Sequence, residues 1–224
     1  MAPIIEVSDE VLDELTKLNF PYKLKNDLEN QSKFDKDNFI YIPSMKIHVA
    51  KERILFGKDW FKSHKELQSQ GLYMPTIPEF IEFLKYVKSN NPDIYNEITE
   101  VRNPWRAEWL DADFKVENGK LHIKYNHQLK DEKLFSQYSE ILDENTLMKN
   151  KTLGISLENW INNPTSQGLP KKDCSKGNLY YWYPRSDDNS VAEFSANSDR
   201  TYFNCNRCPS NGNSVLGVRA VRRE

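Results

Sequence analysis

The chain has 224 residues and a formal net charge of −2, with 38% hydrophobic and 12% aromatic residues. That aromatic share suffices for a core built on Trp, Tyr and Phe, in one large domain or two small ones. The near-neutral balance supplies no general basic field for nonspecific nucleic-acid binding. No run approaches the roughly 18 apolar residues of a membrane span, and residues 1–15 lack the basic and apolar regions of a secretory signal. The expectation is a protein made and folded in a cytoplasm, with no membrane span; later display on a virion or a surface stays open.

Residues 8–18 read as a short helix, with Ser8 as N-cap and Val11, Leu12, Leu15 and Leu18 at helical spacing before Pro21. Residues 23–37 are polar and charged and read as a connector. This divides the chain into an N-terminal helical appendage over 1–37 and a main domain over 38–224. Residues 38–43 and 46–50 form two short strands around a turn. Residues 57–70 give a helix that Gly71 stops. Thr76 caps the next helix, with Pro78 in its first turn and Glu79 completing a capping box. Ile77, Phe80, Ile81, Leu84 and Val87 give that helix an apolar stripe.

Residues 92–99 add a helical turn or two. Residues 103–112 are dense in aromatics and charges. As a strand they put Arg106 and Glu108 on one face and Trp105 and Trp109 on the other. This reads as a core strand with a flanking ion pair, rather than as an acid–base cluster with Asp111. Asn118-Gly119 is the best short hairpin signal in the chain. His122 and His127, on or after the following strand, read as polar surface residues. Residues 130–150 are charged and read as a long loop with helical pieces. Residues 156–161 form a short capped helix, 164–170 a loop, and 179–183 begin the terminal sheet.

The composition then changes. Between residues 183 and 214 roughly half the residues are Asn, Ser or Asp, and lysine is absent after Lys176; so sharp a break marks a segment with its own task. Composition alone also fits a disordered tail. Against that, Val191-x-x-Phe194, Phe203-x-Cys205 and Val215-Leu216-x-Val218 are short β-type runs separated by polar clusters, as in a small antiparallel sheet. Trp182, Phe194, Cys205, Leu216 and Val218 form the frame in this reading. The candidate ligand-binding surface is Tyr183, Arg185, Ser186, Asp187, Asn189, Glu193, Ser195, Asn197, Asp199, Arg200, Tyr202, Asn204, Asn206, Arg207, Asn211 and Asn213. Tyr, Asn, Ser and Arg on a rigid frame offer contact area and adaptable hydrogen bonds at modest entropic cost.

The pattern Trp182, Val191-Ala192-x-Phe194-x-Ala196-x-Ser198, Phe203-x-Cys205, Pro209 and Leu216-Gly217-Val218-Arg219-Ala220-Val221 resembles the variable region of proteins diversified by diversity-generating retroelements. Far from it, Gly71, Met74-Pro75-Thr76 and Glu79-Phe80 are similar to an element of the formylglycine-generating-enzyme branch of the C-type lectin fold, which such variable proteins share. The resemblance implies an α+β C-type lectin fold, with two helices packed on small antiparallel sheets and a C-terminal variable-region sheet over about 180–223. It implies that the patterned residues are scaffold and that adenine-directed mutagenesis rewrites the polar positions between them. It also implies binding of another protein or a cell-surface ligand, with no catalysis, no cofactor and no nucleic acid.

The chain has no phosphate-binding glycine loop, no G-x-S-x-G and no H-E-x-x-H. Three cysteines, Cys174, Cys205 and Cys208, argue against a full disulfide framework. Cys205-x-x-Cys208 lacks two further zinc ligands at workable spacing. Cys205 therefore reads as a buried small hydrophobe and Cys208 as an interstitial residue. Asp187, Asp188, Asn189 and Glu193 can be forced into a calcium site, but no metal is expected. The alternatives are a formylglycine-generating-type enzyme, whose paired active-site cysteines Cys205 and Cys208 do not clearly match, and a fixed-specificity structural or virion lectin-fold protein.

Overall fold

Burial alternates along residues 39–42 and 201–207 but not along 190–196, which are buried on both faces, and with the intervening helices the outcome is a mixed α+β architecture. The computed structural model describes residues 36–149, 151–185 and 189–224, with 151–153 by their backbone alone, and Val11, Glu14, Leu15 and Lys17 before them. Those four residues are helical, within the predicted 8–18 helix. The predicted connector lies outside the described residues except for its last two. The chain separates into two compact units, Met1–Asp37 and Asn38–Glu224.

In the larger unit the elements run β1 (Phe39–Ile42), β2 (Ile47–Ile54), α1 (Trp60–Ser69), α2 (Ile77–Asn90), α3 (Pro92–Thr99), β3 (Arg106–Glu117), β4 (Lys120–Lys130), β5 (Lys133–Ile141), β6 (Lys151–Ile155), α4 (Leu157–Asn162), β7 (Leu179–Trp182), β8 (Ser190–Ala196), β9 (Thr201–Arg207) and β10 (Leu216–Arg223). The ten strands form one sheet in the order β1-β2-β10-β3-β8-β9-β7-β6, with β4 on β3 and β5 on β4. Separate small antiparallel sheets were expected; the strands are instead continuous, and two pairs, β10 with β3 and β7 with β9, are parallel. The reason lies in β3. One of its edges takes β8, while the other takes β10 at its start and β4 further on. The last strand is thereby inserted between β2 and β3 and joins what would otherwise be two sheets.

The helices begin where the sequence supplies caps. The Asp59 carboxylate accepts from Lys62 N at 2.7 Å to start α1. Thr76 and Glu79 form the predicted capping box on α2, with Thr76 N donating to Glu79 Oε2 at 2.8 Å and Glu79 N to Thr76 Oγ1 at 3.4 Å; a cap of this kind is worth about 1 kcal/mol. Ser156 Oγ accepts from Asn159 N at 3.1 Å to start α4. Gly71, at φ +68°, turns the chain out of α1 in a conformation that costs glycine little.

Helices α2 and α4 cover one face of the sheet. Phe80 and Leu84 of α2 and Trp160 of α4 join Leu110, Phe194 and Phe203 in the main core. Trp160 stacks on Phe203 with ring centroids 4.3 Å apart. A second cluster gathers Trp60 and Leu67 of α1 with Met74, Trp109, Val191, Leu216 and Val218. No helix among the described residues is long and apolar enough to cross a membrane.

Two sequence expectations fail in the β4–β5 region. Residues 133–141 form a strand, not part of a long loop, paired antiparallel with β4. Its turn, Asp131-Glu132, takes positive φ of 49° and 62° without a glycine, so the usual hairpin signal is missing. Its side chains are mostly exposed, so no apolar face marks it; a cross-strand stack of Tyr125 on Tyr138, 5.3 Å between centroids, supports the pairing instead. The second failure is His127. It is buried rather than superficial, with Nδ1 2.5 Å from Asp111 Oδ1.

Candidate functional site

Alternation along β9 separates two kinds of residue. Thr201, Phe203 and Cys205 are buried, while Tyr202, Asn204 and Asn206 are half-buried. Register then aligns the neighbouring strands with the second set. Ser195 of β8 lies opposite Tyr202, and Glu193 opposite Asn204. On the other side, β7 places Tyr180 beside Tyr202 and Trp182 beside Asn204. The result is an open concavity of about 310 Å³, lined by Trp105, Trp182, Glu193, Ser195, Ala196, Asn197, Tyr202, Asn204 and Arg207.

Six of the predicted surface residues therefore come together: Glu193, Ser195, Asn197, Tyr202, Asn204 and Arg207. Beside them, Asn206 is half-buried on β9, and the Arg200 guanidinium sits 4.2 Å from the Tyr180 ring. Asn197 also builds the turn: its Oδ1 accepts from Asp199 N at 2.9 Å and Arg200 N at 3.0 Å, which leaves Asp199 exposed at the tip.

The other described ones do not line the concavity. Tyr183 packs on the main core and donates its hydroxyl to Glu144 Oε2 at 2.8 Å, with the Lys149 ammonium 3.9 Å over its ring. Arg185 is half-buried and its backbone N–H donates to Ser190 Oγ at 3.2 Å; Asn189 is half-buried. Asn211 and Asn213 shape the loop into β10. Asn211 N donates to Cys208 O at 3.2 Å, and Asn213 Oδ1 accepts from Val215 N at 3.1 Å. Ser186 and Asp187, with Asp188 of the calcium reading, lie outside the described residues.

Two aromatic residues change roles. Trp182 was expected in the frame, yet it is 37% exposed and lines the concavity. In β7 the inward positions belong to Leu179 and Tyr181, so period two turns Trp182 outward. Trp105 was missed. It precedes β3 by one residue and faces opposite to Arg106, the same alternation that separates the two in the sequence.

Glu193 dominates the electrostatics of the site. It is 3% exposed, and Arg207 Nε lies 3.0 Å from its Oε2. The two atoms are not aligned for a hydrogen bond, and neither has another hydrogen-bond partner among the described residues. Burial raises the carboxyl to about 7 against the opposing pull of Arg207 and a hydrogen bond with Ser195. The floor of the concavity thus carries an incompletely satisfied, ionisable carboxyl.

A different charge assembly sits on the strands β3 and β10. Arg106 and Glu108 form the predicted ion pair at 2.6 Å, fully buried. Arg219 Nε joins them 3.1 Å from Glu108 Oε2, and its Nη1 donates to Ala50 O at 3.2 Å and to Lys51 O. Burial raises the Glu108 carboxyl, but Arg106 and Arg219 outweigh it and hold it at about 2. Cys174 and Cys205 are buried and Cys208 is exposed; burial pushes the Cys205 thiol well above its ordinary range.

Comparison with models of known protein families, with curated proteins and with solved structures returned no match.

Proposed function

We propose that the chain is a receptor-type binding protein on a C-type-lectin-type scaffold, and that its C-terminal sheet presents a surface diversified by a retroelement. The observation that carries this reading is the division along β9, where patterned residues Phe203 and Cys205 enter the core and the intervening Tyr202 and Asn204 face the concavity. A surface that tolerates rewriting needs this arrangement, because replacing a half-exposed side chain leaves the packed frame intact. The capped helix α2, with the Thr76–Glu79 box, supports the lectin-type scaffold independently.

Recognition proceeds without chemistry. Trp105, Trp182 and Tyr202 supply contact area at low entropic cost, while Ser195, Asn197 and Asn204 supply adaptable hydrogen bonds. At about 310 Å³ the concavity sits at the small end of ligand pockets, roughly 300–1,000 Å³, so it accepts one projecting group of a larger protein or cell-surface partner. The buried Cys205 thiol, raised by its surroundings, favours a scaffold role over that of a nucleophile.

Deep sequencing of the locus in its source population, with its flanking DNA, tests the reading. The expected result is substitutions confined to adenine positions between residues 183 and 214, beside a near-copy of the 3′ end and a reverse-transcriptase gene. A uniform locus with no template copy overturns the diversification and leaves a fixed-specificity binding protein.

A further inference from the structure

Away from the concavity, three buried side chains from three elements converge. His64 comes from α1, Asp111 from β3 and His127 from β4, and their ligand atoms all lie within 4.8 Å of one another. Exposures of 1%, 1% and 5% place all three inside the protein. Asp111 Oδ1 is the centre of the group, 3.6 Å from His64 Nε2 and 2.5 Å from His127 Nδ1. Its other oxygen accepts from His127 N at 3.1 Å.

His64 is the residue that the protein alone does not explain. Both of its ring nitrogens are buried without a hydrogen-bond partner, an arrangement that is costly for a polar ring. Packing does not require an imidazole here. The ring lies edge-on to Trp60, 4.2 Å between centroids, in a setting that a phenyl ring would fill.

We propose that His64, Asp111 and His127 form a site for a divalent transition metal of the zinc type. Two imidazoles and one carboxylate are a zinc-compatible donor set, and a tetrahedral ion with bonds of about 2.0–2.1 Å spaces its ligands about 3.3 Å apart. The His64–Asp111 distance of 3.6 Å is already near that value. To ligate through Nδ1, a neutral His127 carries its proton on Nε2 instead, and the 2.5 Å contact with Asp111 Oδ1 opens by about 0.8 Å. Asp111 also borders a cavity of about 40 Å³ that Thr76, Tyr125 and Gln167 help to line, and about 10–15 Å³ of such space holds one water. That cavity supplies a water for the fourth position. The ion would tie α1 to β3 and β4, a cross-link between elements distant in sequence.

The test uses the untagged full chain, stripped with chelator and titrated with Zn²⁺ and, separately, Co²⁺. The expected result is one equivalent bound, a rise in melting temperature of about 5–10 °C at a hundredfold excess over Kd, and Co²⁺ d–d absorption without a thiolate charge-transfer band. His64→Phe fills the same space and is expected to fold and to lose the response; Asp111→Asn, which keeps the shape of the carboxylate, loses it as well. An unchanged melting temperature in the parent protein, an undiminished response in either variant, or a thiolate band assigning the metal to the cysteines overturns the proposal.

Discussion

Two glutamates, Glu108 and Glu193, occupy nearby strands, both are buried, and both face arginine; their situations are nevertheless opposite. Glu108 meets Arg106 and Arg219 in aligned contacts of 2.6 and 3.1 Å and is held at about 2. Glu193 meets a single arginine, Arg207, without alignment, beside a hydrogen bond with Ser195, and is raised to about 7. Burial acts the same way on both carboxyls, so the number and geometry of the partners decide the outcome. A complete set of partners makes a charge part of the framework. An incomplete set leaves it with unused capacity, and here that capacity opens onto the concavity.

The largest expected effects lie on the framework side. Glu108→Ala removes the fully buried carboxylate between Arg106 and Arg219, leaves them only the half-buried Glu97, and should cost about 3–5 kcal/mol in denaturant unfolding. Phe194→Ala, which removes a ring between Phe80 and Trp160, should cost about as much, roughly 3–5 kcal/mol. Stability changes under 1 kcal/mol for both would erase the distinction between framework and surface.

The pH dependence sharpens the comparison. The folded Glu193 carboxyl lies above its unfolded value, so its contribution is fully present below about 4.5 and is lost as pH rises through about 7. The parent protein should lose about 1–3 kcal/mol from this group across that window, and Glu193→Gln should flatten that part of the profile. Glu108 acts with the opposite sign, because its stabilisation fades only as pH falls from about 4.5 through about 2. Equal slopes for parent and Glu193→Gln between pH 5 and 8 would remove Glu193 from this account. The smallest effects belong to the open face. Asn204→Ala and Arg200→Ala should each change stability by no more than about 0.5 kcal/mol, and large losses there would tie these side chains to the fold.

Much of this contrast was readable from residue order. Thr76 and Glu79 announce their helix through chemistry confined to four residues, and Asn118-Gly119 announces its turn in two. The β9 alternation is equally local. Strand β5 was hidden because its polar residues and its large side chains Phe135, Tyr138 and Ile141 are alike exposed, so no buried face sets its phase. Trp182 was misplaced because a large aromatic ring suggests a core, whereas its side of the sheet follows from the phase of a four-residue strand. Trp105 and the buried histidines needed information that no short window holds. His127 meets Asp111 only through β3–β4 pairing, and His64 reaches both only when α1 docks on the sheet, where Gln68 Nε2 donates to His127 O at 2.9 Å.

The insertion of β10 between β2 and β3 bears on how the protein is made. A ribosome releases the segment over 183–214 before the strand that joins the sheet's two halves exists. A frameshift or premature stop anywhere in that segment removes Leu216, Val218 and Arg219 together, exposes the edges of β2 and β3, and strips Glu108 of one partner. Such chains lack the contacts that close the sheet and are exposed to aggregation and proteolysis. The topology thus acts as a proofreading step: a chain completes its sheet only when its reading frame survives to the final strand.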